Sequence, residues 1–279
     1  MKIIIKSKGG PGSGNFDHAG IPGSVGGSAP REIIDAAAMK KARAAEKRLA
    51  KKKAEEEAAE LAWKTKIPVH FGNNLWVTSK VTKMLEPEEL ESAMAQLKAM
   101  TEGKPVRLAI SSTVLQEYVL PEGRFKNQHE TGTSGGTLDP SLRLEAERNV
   151  FGFGLTKPKY CPIYGYIDSP LGDGSQYGDA VVVFKPHVRK MTTVTVGDSF
   201  ANMLKLDVSP SPIENLGPAC LDHAYDRKSR TLQGDYIEAQ IHGGLTLDDI
   251  DFIDLSHADS RYKESLISML DAQGIRYTE

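Results

Sequence analysis

Tyr236-Ile-Glu-Ala-Gln-Ile-His-Gly-Gly244 alternates polar and apolar residues with a period of two, the signature of a strand. The alternation sends Tyr236, Glu238, Gln240 and His242 to one face and Ile237, Ala239 and Ile241 to the other. An apolar back belongs against a core. A polar front is either a solvated face or the wall of a site. A second stretch, Asn127-Gln-His-Glu-Thr-Gly-Thr-Ser-Gly-Gly136, has the same character, with polar side chains set among small residues, a composition better suited to holding a ligand than to filling a core.

Working outward from the Tyr236 strand, β-rich runs recur at Thr192–Val196 and Val181–Phe184, split by Lys185-Pro-His-Val-Arg189, and at Val106–Ile110, which carries Arg107. Val208–Pro218 reads as a loop rich in Pro and Ser. Glu86–Met100 reads as a helix, with Leu90, Met94, Leu97 and Met100 at helical spacing, opened by Pro87 and closed by Gly103. Towards the C-terminus, the segment Leu247–Leu255 precedes a helix over Arg261–Ala272 and a last strand at Ile275–Tyr277. Strands dominate and helices are scattered among them, so the expected class is α+β, not a regular βαβ succession. The globular domain is expected over 67–279, beginning near Ile67, with a strand pair within Phe71–Val81.

Two appendages precede it. Residues 1–30 include GGPGSGNFDHAGIPGSVGGSAP, in which only Phe16, Ile21 and Val25 are larger apolar groups. Such a segment cannot bury enough surface to offset its chain entropy, and a disordered tail is expected. No Gly-Lys-Ser/Thr follows its glycines, which excludes a P-loop. Residues 31–66 are rich in Ala, Lys and Glu and predict one long charged helix, with Trp63 as its anchor near the junction. Its sparse large apolar residues make a poor coiled-coil seam, and the basic run Lys47–Lys53 reads as a solvated face.

Composition narrows the function classes. The 279 residues carry a formal net charge of −2, which gives no global argument for nucleic acid. No apolar run approaches a membrane span, and Met1-Lys-Ile-Ile-Ile-Lys6 is too short for a signal-peptide core, so a cytoplasmic product is expected. Cys161 and Cys220 have no CxxC partner and read as reduced and structural, with no zinc site expected.

Three chemistries can be tested against the residues. Gly132-Thr-Ser-Gly-Gly136 has the look of a serine-protease nucleophile loop, but no Asp lies between His70 and Ser134, where that order of partners requires one. His129, Glu130, His187, His223 and His242 are available to a metal, but none sits at a recognised ligand spacing, and His129-Glu130 on a strand would point apart. The third pattern is Arg107 on an early strand, the Thr-Gly-Thr-Ser turn at 131–134, and Glu238 on a late strand.

That order resembles the Arg, Ser, Glu arrangement of the ADP-ribosyltransferase superfamily. The resemblance implies mixed and antiparallel sheets with flanking helices, an arginine gripping the NAD diphosphate, a Ser/Thr-rich strand start bracing the ribose, and a glutamate favouring the oxocarbenium-like state. The chemistry is plain: a guanidinium matches phosphate bidentately, and a fixed carboxylate stabilises positive charge at the anomeric carbon. Two departures stand out. Glu238-Ala-Gln240 replaces the usual Glu or Gln two residues before the catalytic Glu, and the aromatic-Ser-Thr-Ser element is missing.

A broader resemblance covers roughly 105–255. Phe125–Gly136, Arg143–Phe151, Pro162-Ile-Tyr-Gly165, Tyr177–Arg189, Thr192–Ser199 and Tyr236–Gly243 together are similar to DUF3626, a bacterial domain of unknown function. The glycine-rich tail resembles segments at the ends of phage head-morphogenesis proteins. These likenesses imply a phage or prophage origin, an NAD-using enzyme acting on a protein or nucleic-acid acceptor in the host cytoplasm, or a virion-associated morphogenesis protein contacting capsid or portal. The site expected on the first reading places Glu238, Glu130 and Ser134 in catalysis and Arg107, Gln128, Thr133, Arg143, Tyr164 and Gln240 around NAD, with no metal. Glu147, Asp198 and Ser199 are further polar members of the same blocks. Local structural roles compete for them: an exposed Arg143–Glu147 helical ion pair, and a helix N-cap at Asp198-Ser199.

Overall fold

A computed structural model describes residues 39–55, 83–132, 140–151, 161–172, 174–200, 209–221 and 224–279. The chain divides into two units, Met1–Lys51 and Lys52–Glu279. Residues 39–55 are helical and exposed throughout, as the run of Ala, Lys and Glu predicts. The expected tail, Trp63 and the strand pair at 71–81 lie outside the described residues.

The second unit is α+β, built on an eight-stranded mixed sheet. Its strands are β1 (Val106–Ile110), β2 (Ile163–Ile167), β3 (Ala180–Phe184), β4 (Thr192–Val196), β5 (Ser211–Pro212), β8 (Ile237–Ile241), β9 (Ile250–Asp254) and β10 (Tyr277–Thr278), in the spatial order β10-β9-β3-β1-β2-β8-β4-β5. Among the described residues, β9 and β10 are the one parallel pair in the sheet. A separate hairpin joins β6 (Tyr225–Asp226) to β7 (Thr231–Leu232). The late strand β8 is inserted between β2 and β4, so residues from three distant parts of the chain stand side by side.

The helices follow local signals. α1 (Pro87–Thr101) opens on a capping box between Glu86 and Glu89 with Pro87 in its first turn, and buries Ala93, Leu97 and Thr101 at four-residue intervals. The helical segment α2 (112–122) widens into a π turn over Leu115–Val119 just before Pro121. Pro121 has no N–H to give to the carbonyl one α-turn back and its ring would strike it, so a wider turn relieves the ladder there. The short α3 (Gln128–Thr131) and α4 (Pro140–Phe151) carry much of the polar chemistry, and α5 (Ser260–Gln273) starts at the Asp259 cap and stops at Gly274. His129 and Glu130 sit on a helical turn, and Asn127 caps that turn through the N–H groups of both residues.

One face of the sheet packs the main core, including Val106, Ile163, Ile167, Val182, Phe184, Val194, Ile237, Ile241 and Ile253, against Leu97, Leu115, Leu266 and Leu270 of the helices. Every residue of β8 is buried, so its polar face is covered as well. That rules out the solvated alternative for the Tyr236 strand.

Candidate functional site

Register places the polar face residue by residue. Glu238 pairs with Tyr166 of β2 and Thr195 of β4, and Gln240 pairs with Tyr164 and Thr193, so these six side chains share one surface. Arg107 pairs with Tyr166 from the next strand and extends that surface. From outside the sheet, α4 contributes Arg143 and Glu147, and the segment after β4 contributes Ser199 and Phe200.

Glu238 is 3% exposed and is held by neutral donors. Ser199 Oγ and Gln240 Nε2 (2.8 Å) donate to Oε1, and Tyr236 OH donates to Oε2 at 3.3 Å. Burial pushes the Glu238 carboxyl above its usual range, against the opposing pull of Arg143 and of the Ser199 and Gln240 hydrogen bonds. Gln240 also donates to Thr195 Oγ1 at 3.1 Å and accepts from Thr193 Oγ1 at 3.0 Å, which fixes its amide orientation. Because the Thr193 hydroxyl gives its proton to Gln240, it receives one from His242 Nε2 at 2.9 Å. Burial depresses the His242 pKa to about 3, which keeps this ring neutral.

Arg143 is the centre of the arrangement. Its guanidinium lies 4.3 Å from the centroid of the Tyr164 ring and 4.7 Å from that of Phe200. The residue is 5% exposed, and its Nε and Nη1 are buried without a hydrogen-bond partner. Burial works against its charge, but Tyr164, Glu238, Glu147 and Asp198 outweigh that and hold the guanidinium above its ordinary value. A buried N–H left unmet costs roughly 1–3 kcal/mol, so two on one cation mark a place where an acceptor from outside the protein would be welcome.

The expected exposed ion pair between Arg143 and Glu147 is not what forms. Both residues are buried, and Glu147, at 0% exposure, has other partners. Gln128 Nε2 (2.7 Å) and Tyr164 OH (2.9 Å) donate to its Oε1, while His129 Nε2 stands 2.9 Å from its Oε2. One helical turn thus turns the carboxylate towards α3 and leaves the guanidinium facing the aromatic rings. Burial and the neighbouring Glu147 raise the Tyr164 hydroxyl well above its ordinary value.

Of the remaining expected site residues, Glu130 pairs with Arg124 at 2.8 Å and closes the α3 capping box, and Arg107 pairs with Asp168 at 3.3 Å. Neither contact reaches the Glu238 network. Thr133 and Ser134 lie outside the described residues, and so does His223. Asp198 accepts from the Phe200 N–H at 2.8 Å in the manner of a cap, while Ser199 turns inward to Glu238. The sequence reading missed Phe200 as a ring over Arg143, and it missed the link from His129 to Glu147. The first had a weak signal, an aromatic residue following Asp198-Ser199; the second had none.

Over 174 residues, the chain is 30% identical to the "Gene 2 protein" of Mycobacterium phage D29, covering 56% of this chain and 66% of that protein. Over 153 residues, it is 34% identical to the "Gene 2 protein" of Mycobacterium phage L5, covering 47% of this chain and 58% of that protein. These likenesses support a phage origin. The chain spans less than two thirds of the length of either relative. No family model matches it, so the resemblances to DUF3626 and to the ADP-ribosyltransferases rest on their motifs alone. Among the described residues, no helix is long and apolar enough to cross a membrane.

Proposed function

We propose that the Arg143–Glu238 centre binds NAD and that the chain is a phage-encoded enzyme of ADP-ribosyltransferase type, acting in the host cell on a protein or nucleic-acid acceptor. One observation carries this reading: a buried guanidinium between two aromatic rings has two N–H groups unmet, next to a buried carboxylate on the adjoining strands. A diphosphate supplies paired acceptors for the first, and a ribosyl cation supplies a partner for the second. On this reading Arg143 takes the phosphate-gripping role that sequence order had suggested for Arg107, whose Nη2 pairs with Asp168 at 3.3 Å and whose Nε is also buried without a partner.

In the reaction, the C–N bond to nicotinamide breaks and its electron pair leaves with the ring. Positive charge develops at the anomeric carbon, where the Glu238 carboxylate, oriented by Ser199, Gln240 and Tyr236, stabilises it. An acceptor nucleophile then bonds to that carbon, and its proton passes to solvent. Gln240 occupies the place of a second carboxylate and acts as a positioning group, since its amide is committed to Glu238 and Thr195.

The test uses the purified full-length chain, with NAD binding followed by calorimetry and nicotinamide release by chromatography. Arg143→Met is expected to abolish binding. Glu238→Gln is expected to retain binding and to lower release on the order of a hundredfold or more. A folded chain that neither binds NAD nor releases nicotinamide overturns the proposal.

A further inference from the structure

Around Glu147, three metal-binding residue types meet. One ligand atom each from His129, Glu147 and Cys161 lies within 4.8 Å of the other two. All three are sheltered: the His129 side chain is 7% exposed, Glu147 is 0% and Cys161 is 2%. They come from α3, from α4 and from the residue two places before β2, at intervals that match no ligand motif.

We propose that His129, Glu147 and Cys161 form a binding site for a divalent ion of the zinc class, with water in the fourth position. The donor set of one nitrogen, one oxygen and one sulfur is the mixture zinc accepts, and bond lengths of about 2.0–2.3 Å place tetrahedral ligand atoms roughly 3.3–3.7 Å apart. His129 Nε2 and Glu147 Oε2 stand 2.9 Å apart, and all three ligand atoms lie within 4.8 Å of one another, close enough for small side-chain shifts to reach that spacing. The metal takes the place of the proton shared between imidazole and carboxylate and of the Cys161 thiol proton, and the displaced protons pass to solvent. Charge also balances: a carboxylate, a thiolate and a divalent cation sum to zero, so the assembled centre adds no net charge to a buried place.

The surrounding bonds orient these ligands as metal sites require. Glu147 Oε1 is held by Gln128 and Tyr164, which leaves Oε2 for the ion. Asn127 caps the turn that carries His129 through the N–H groups of His129 (3.0 Å) and Glu130 (3.2 Å). Its own Nδ2 donates to the Cys161 carbonyl at 2.9 Å, tying two of the ligand segments together. The other cysteine, Cys220, donates its thiol to the Gly217 carbonyl at 3.1 Å and takes no part.

The full chain, stripped with a chelator, would be titrated with Zn²⁺ and separately with Co²⁺. One equivalent of zinc is expected, with a rise in Tm, and the cobalt complex should show tetrahedral d–d bands and a thiolate charge-transfer band. The band should survive Cys220→Ser and vanish in Cys161→Ser. Because loss of a supporting group alone costs about 10–100-fold in metal affinity, removal of a ligand in Cys161→Ser or His129→Asn should cost at least about a hundredfold. If either variant fails to fold, the cobalt spectrum of the unaltered chain decides. No stoichiometric zinc, a cobalt complex without the thiolate band, or equal affinity in a folded Cys161→Ser would overturn the site. None of these readouts involves NAD, so they stand or fall apart from the proposed activity.

Discussion

His242 offers a direct test of whether the polar face of β8 is truly dry. In the folded protein burial lowers its pKa from 6.5 to about 3, with Nε2 donating to Thr193. As pH falls, the unfolded chain takes up a proton on this ring well before the folded one does. Stability from this group is therefore fully present above pH 6.5 and is lost as pH falls towards the folded value. Linkage with those two values gives a loss of about 2 kcal/mol at pH 5 and about 3 kcal/mol at pH 4 relative to pH 8. Glu238 acts in the opposite direction, because its raised carboxyl favours the protonated form in the fold and costs stability as pH rises. The contribution of His242 is therefore best read as a difference between two proteins. Urea unfolding of the unaltered chain and of His242→Gln would be followed at pH 4, 5, 6 and 8, with the variant keeping an amide donor for Thr193. The variant should show a flatter acid limb, the gap between the two curves narrowing by about 2 kcal/mol between pH 8 and pH 5. Parallel curves would mean that water reaches the ring and that the face is not sealed.

Three further perturbations probe the frame around the site. Tyr164→Phe keeps the ring beneath Arg143 but removes one of the two donors to Glu147 Oε1, and should cost roughly 1–3 kcal/mol in urea unfolding. Gly165→Ala would put a Cβ 2.2 Å from the Arg107 carbonyl oxygen on the neighbouring strand. Backbone cannot yield cheaply there, so a loss of about 3 kcal/mol, or roughly 6–12 °C in Tm by thermal unfolding, is expected. Asn127→Ala removes the α3 cap and the bond to the Cys161 carbonyl together, for roughly 2–3 kcal/mol. Asn127→Asp should recover the capping part only, since it has no Nδ2 to give, and equal denaturant midpoints for Asn127→Asp and the unaltered chain would show that the bridge contributes nothing.

Much of the sheet was legible without coordinates. β1 appears where Val106–Ile110 was expected, β4 where Thr192–Val196 was, and α1 runs from Pro87 to Thr101 behind its capping box. The segment 112–122 was not foreseen, because its π turn breaks the period on which helix recognition depends. The two-residue strand β5 was likewise lost within a Pro- and Ser-rich loop. Arg143 and Glu147 were singled out, Arg143 as a group around NAD, with an ion pair between the two as the competing reading of their four-residue spacing. Helical spacing says that two side chains are neighbours; it does not say which of several nearby groups each will choose.

By itself the sequence determined the alternation of β8, the facing of Glu238, Gln240 and His242 to one side, and the caps that start and stop the helices, because side-chain period and capping are set by residues within a few positions. Only the tertiary structure decided that this polar side is buried, because burial depends on what α4 and the 198–200 segment lay over it. It also decided that a late strand stands between β2 and β4, and that His129, Glu147 and Cys161 meet. Those are contacts between segments separated by tens of residues, and nothing in the local pattern of any one segment carries the free energy that selects them.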